Sequence, residues 1–256
     1  MKKIKKLSLV IVLILVANIK VFAESGFEAA LSVPLGASFG IFTGETAFTA
    51  PVFSSVAPAI NSEVGFDSGV HAQIGYMFDF GSVGLSLLGD LGYSYDSYRM
   101  SFSLSGSGGV SGANFDMKAY YNMYMHNFQI GILPKLNFGS FAVGIGAGVK
   151  IPMAGTIETK IEANLNGHQI DFSQLDGSAK YVSSDFKTSI IPYIKATFDY
   201  SFFFNDNMAF VLGAYLGYDF GIAYKNNQLL FKEDSRLDSF DIGAEIGFKF
   251  GPRVGY

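Results

Sequence analysis

The chain has no cysteine and no tryptophan, only three histidines, and 16% charged residues. Without cysteine there can be no disulfide, no thiolate metal site and no lipid-modified N-terminal cysteine, a usage that suits folding outside the cytoplasm. Histidine chemistry is confined to His71, His126 and His168, and no His/Asp/Glu cluster has metal-ligand spacing. The glycine runs between Gly106 and Gly112 do not join a strand to a helix, which excludes a phosphate loop. No metal and no cofactor is expected. Past the first 23 residues no apolar run approaches the roughly 20 residues that a spanning helix needs. Any membrane crossing must therefore be made by strands.

What is abundant points the same way. Thirty glycines and 26 phenylalanines in 256 residues suit many strands with crowded, glycine-lined contacts. The N-terminus reads as a basic stretch, Met1 to Lys6, followed by a short apolar run, Leu7 to Ala17, and the small-residue pattern Val21-Phe22-Ala23. This predicts an export signal over 1–23, cleaved before Glu24. Five of the 18 basic residues and none of the 22 acids leave with it, so the mature chain sets 13 bases against 22 acids, a net charge of −9. That argues against nucleic acid as a partner.

The mature chain, 24–256, carries eight segments in which large apolar residues alternate with small or polar ones. The pattern is plainest in the hairpin Asn127 to Met153, where Phe128, Ile130, Ile132, Pro134, Leu136 and Phe138 precede a Gly139-Ser140 turn and Phe141, Val143, Ile145, Ala147, Val149 and Ile151 follow it. Period-two alternation puts these on one face of each strand. The other segments are 27–35, 70–80, 83–95, 190–202, 208–220 and 240–250. Connections alternate between a few residues and long stretches, the latter over 36–68, 97–125, 154–187 and 221–237. Aromatics gather at both ends of the segments, with Phe80, Phe138, Phe141, Phe202, Phe204, Phe248 and Phe250 near the short turns and Tyr93, Tyr95, Tyr124, Tyr218 and Phe220 near the long loops. Uncharged apolar faces, two aromatic girdles and segregated loop lengths together predict an all-β fold, a transmembrane up-and-down antiparallel barrel of eight strands. Ten strands is the alternative, if Thr156 to Leu165 and His168 to Leu175 also cross the membrane.

With this pattern the chain resembles the small eight-stranded outer-membrane proteins, the group that includes OmpX, OmpW and the membrane domain of OmpA. The resemblance implies a bacterial outer-membrane location with the long loops outside, a lipid environment, and delivery by periplasmic chaperones to the outer-membrane assembly machinery. It also implies that Ile246, Phe248 and Phe250 are the C-terminal assembly signal, although the chain continues to Tyr256. A monomer is expected, with no enzymatic activity. A membrane-embedded lipid hydrolase is a distant third reading, because His71 would meet an acid such as Glu28 or Asp96 only in a favourable register.

The inward face decides function. It carries Glu28, Asp79, Asp90, Asp96, Asp199, Asp219, Asp241 and Glu245 against Lys135, Lys150, Lys195 and Lys249. In a barrel only wide enough for side chains or one small ligand, these charges form either a mutually paired plug or the lining of a passage. Gly144, Gly146 and Gly148 leave room for a cavity unless Tyr193, or Tyr215, lies across them. The long loops contain further strand signals. Met100, Phe102 and Leu104 continue one strand, Asn166-Gly167 marks a hairpin over Thr156 to Leu175, and Leu229, Leu230 and Phe231 follow Asn226-Asn227. Strands that project beyond the bilayer offer edges to a partner strand. The first functional reading is therefore a surface-exposed structural or adhesive barrel with a charge-plugged lumen, its extracellular loops being where host proteins could bind. The second, implied by the OmpW-type resemblance, is a narrow channel or carrier for small apolar molecules.

Overall fold

The computed structural model describes residues 25–44, 59–108, 113–182, 190–223 and 235–255. The expected export signal and the Leu229 to Phe231 segment lie outside them. Ten strands follow in chain order: β1 (Gly26–Thr43), β2 (Ala59–Asp79), β3 (Gly84–Gly108), β4 (Ala113–Phe138), β5 (Phe141–Leu165), β6 (His168–Ile170), β7 (Gly177–Val182), β8 (Ile191–Asn205), β9 (Met208–Ala223) and β10 (Arg236–Phe250). Eight of them close a ring in the order β1-β2-β3-β4-β5-β8-β9-β10, and β10 pairs back onto β1 from Ala29–Phe250 to Thr43–Arg236. Every pairing is antiparallel. A closed ring leaves no unpaired edge, which is what a strand needs in order to cross lipid.

The remaining two strands answer the ten-strand alternative. β6 and β7 do not enter the wall; they pair with Ala163–Leu165 and Ala154–Thr159, on the upper part of β5. Lower down, the same edge of β5 pairs with β8, from Phe141–Tyr200 to Lys150–Ile191. The Asn166-Gly167 turn forms as expected, with φ of 52° and 82°, the left-handed pair of a type I′ turn. Its second arm is shorter than expected. It ends at Ile170, and Ser173–Leu175 is a single 3₁₀ turn instead of strand.

The expected loop limits also shift. β1 continues to Thr43 and β2 begins at Ala59, so much of 36–68 is strand. β3, β4 and β5 are 25, 26 and 25 residues long, about twice what a tilted bilayer crossing needs. Their upper halves form a sheet that projects beyond the membrane level on one side of the ring.

At membrane level the outer face is apolar and exposed, with Ile145 at 71% and Ile132 at 67%. Both aromatic girdles are present. Phe210 packs between Phe202 and Phe248 at 6.3 and 5.7 Å on the short-turn side. On the other side Tyr95 stacks on Tyr124 at 6.4 Å, and the Tyr93 hydroxyl meets His126 Nδ1 at 2.6 Å. The chain is an eight-stranded transmembrane barrel.

Candidate functional site

Alternation sends every second side chain of the wall into the lumen, and there the lysines find their carboxylates. Lys135 Nζ lies 2.6 Å from Asp199, Lys195 Nζ 2.6 Å from Asp90, and Lys249 Nζ 3.1 Å from Glu28. Lys150 Nζ bridges two acids, Asp96 at 2.8 Å and Asp219 at 2.7 Å. These pairs join strands far apart in sequence, since Lys150 is on β5, Asp96 on β3 and Asp219 on β9. Neutral donors reach four of these acids as well. Gln129 and Tyr193 donate to Asp90, Asn127 and Ser94 to Asp96, Tyr98 to Asp219, and Ser86 to Glu28. All of these acids are buried. A buried charge is tolerable only when paired and hydrogen-bonded in this way.

Three acids stand apart from the lysines. Asp79 is at the short-turn rim, where its carboxylate accepts the Gly81 N–H at 2.8 Å, so it caps the turn and does not join the lumen network. Asp241 accepts from Ser239, and Glu245 from Ser32 at 3.4 Å. Sequence reasoning missed two members. Asp67, expected in a loop, accepts the Tyr215 hydroxyl at 2.7 Å, because β2 begins at Ala59, ahead of the expected start at Val70. Tyr98 continues the inward parity of Ser94 and Asp96, a signal that was available.

The three glycines of β5 do not line open space. A Cβ on Gly144 would meet Thr197 Oγ1 at 2.6 Å and Lys135 Cγ at 3.0 Å, and one on Gly146 would meet Leu133 Cδ1 at 3.0 Å. Gly148 is covered by the Tyr193 ring. Tyr215 packs elsewhere, against Gly36 and Gly243. Two cavities among these side chains measure about 20 and 30 Å³, roughly one or two water molecules each.

Above the Asp96–Lys150–Asp219 layer the interior changes character. Tyr98, Met100 and Phe102 of β3, Tyr121, Met123 and Met125 of β4, Ile157, Ile191 and Leu237 form a buried apolar cluster. Tyr98 links the two regions through its hydroxyl, 2.9 Å from Asp219. Among the described residues no histidine hydrogen-bonds to an acid. His71 is buried with no hydrogen bond to either ring nitrogen, His126 holds Tyr93 at the rim, and His168 is exposed in β6. Ile246, Phe248 and Phe250 all face outward and are exposed, and Phe250 is the last residue of β10.

No protein-family model matches the chain, and neither does any curated protein. Solved structures do. The attachment invasion locus protein Ail of Yersinia pestis is 15% identical over 88% of this chain and 99% of that one, with a TM-score of 0.33. Neisserial surface protein A is 11% identical over 89% and 98%, with a TM-score of 0.30. The outer membrane protein OprG of Pseudomonas aeruginosa is 11% identical over 89% and 98%, with a TM-score of 0.31. It is the closed ring, the apolar outer face and the two girdles of this chain that make it a membrane barrel.

Proposed function

We propose that the protein is a sealed bacterial outer-membrane barrel that displays its projecting sheet at the cell surface in a structural or adhesive role. The carrying observation is Lys150, which ties β5 to β3 and β9 across the lumen directly beneath the apolar cluster. A passage for ions or small apolar molecules would have to break two buried ion pairs and part a packed core. In this reading residues 1–23 direct export, periplasmic chaperones escort the chain, and the assembly machinery reads Ile246, Phe248 and Phe250 as it inserts a monomer. The lumen charges serve closure in this reading.

Refolded protein in planar bilayers should give no discrete conductance. Steady single-channel steps would replace this reading with the channel one. For adhesion, binding of whole cells to immobilised host matrix or serum proteins should fall when Thr156 to Leu175 is deleted. Unchanged binding would leave only the structural role.

A further inference from the structure

The residues that follow β10 lie outside the wall. Gly251 leaves the sheet with φ of 155°, and its N–H donates to the Asn207 carbonyl in the β8–β9 turn at 2.8 Å. It sits so close to β1 that a Cβ would lie 3.0 Å from Glu28 Cγ. Pro252 then packs against Gly26, and the Arg253 guanidinium stands over the Phe203 ring, 5.3 Å from its centroid. Val254 is 2% exposed. Its seat is the notch left by Gly84 beside the fully buried Met77. Met77 lies on β2 and Phe203 on β8, which stand opposite each other in the eight-strand ring. The tail therefore crosses the short-turn mouth and does not trail along its rim.

We propose that residues 251–255 are a stopper that closes this mouth beneath the Glu28–Lys249 pair. The proposal rests on the sealed-barrel reading and deepens it, because it assigns closure at this end to a segment outside the wall. Gly251 and Gly255, with φ of 155° and 81°, are the two bends that carry the chain in and out. Val254 is the part that fills, and Arg253 on Phe203 is the part that fastens.

The lack of cysteine supplies a clean test, since Met77→Cys creates a unique thiol in the stopper's seat. In the refolded full-length variant this thiol should react with a bulky maleimide about tenfold more slowly than in the same variant lacking residues 252–256, because the label reports the open population. Val254→Asp in the full-length Met77→Cys background should also label fast, and it decides the matter alone if the truncated chain does not refold. The heat-induced gel shift checks refolding in each case. Equal rates in all refolded variants would overturn the stopper. Planar-bilayer recording separates the two readings. Conductance by the unmodified chain overturns the sealed barrel, whereas a silent chain with equal labelling rates overturns the stopper only.

Discussion

The lower and upper halves of β3, β4 and β5 are built from the same alternation with opposite meaning. Below the Tyr95–Tyr124 girdle the outer face is apolar and the inner face charged; above it, Arg99, Lys118, Lys160 and Glu162 point out while Met100, Met123 and Ile157 are buried. Lipid and water impose the difference. In the bilayer a charge on the outer face costs more than one inside a paired network, while in water the ordinary preference for an apolar interior returns. On β3 and β4 the pairing continues in register as the residue types exchange faces, at Asp96/Tyr98 and Asn127/Met125. On β5 the residue types stay in phase and the backbone makes the exchange. A bulge at Met153, between the His126–Ala154 and Asn127–Pro152 pairs, turns the series that faces lipid at Val149 and Ile151 inward at Ile157 and Ala163.

The comparison can be broken from either side. The largest effect is expected from Lys150→Met, which leaves Asp96 and Asp219 buried without their cation at a cost of about 3–5 kcal/mol. The midpoint of urea unfolding in detergent should drop accordingly, and an unchanged midpoint would mean that the lumen charges are not coupled as their distances suggest. Next comes Ile145→Lys, which places a charge at mid-bilayer on β5 and should cost about 2–4 kcal/mol in lipid. Lys160→Ile, the reverse exchange on the projecting part of the same strand, should change the barrel's stability hardly at all. Equal sensitivity of the two would erase the boundary between the halves.

The smallest effect concerns the outer face of the projection. Hydrogen bonds from Lys118 and Ser101 hold the Glu63 carboxyl below its ordinary value of 4.5. A lowered carboxylate stabilises the folded form above its unfolded value and loses that contribution as pH falls through its folded one. Tyrosine near-UV circular dichroism should therefore change slightly below about pH 4.5. The change should be absent in Glu63→Gln. Lying at the surface and partly exposed, this ion pair contributes little.

The membrane half was legible because lipid sorts side chains strictly with period two: the lipid faces, the short turns and the inward position of all four lysines follow from the pattern. The upper half was harder, because the same period does not say which face meets water. The alternation from Val149 through Ile157 to Ala163 reads as one continuous face, and nothing local marks the bulge. That ambiguity is what made a ten-stranded wall conceivable. Ion pairing was beyond reach for a different reason. Lys150 meets Asp219 only through the closure of β8, β9 and β10 around the ring, and no spacing within one strand encodes that. The capping role of Asp79 and the lumen place of Asp67 depended on where β2 starts and stops, and strand ends are where pattern is weakest.

The bulge at Met153 also sets how this strand responds to length. An inserted or deleted residue in an exposed loop is absorbed there, but at this point it acts as a phase change. Removing one residue would turn the whole upper part of β5 by half a turn, sending Glu158, Lys160 and Glu162 inward and Ile157 and Ala163 out. One residue of chain, carrying no charge and making no ion pair, thus keeps a membrane strand and a water-facing strand continuous in a single piece of backbone.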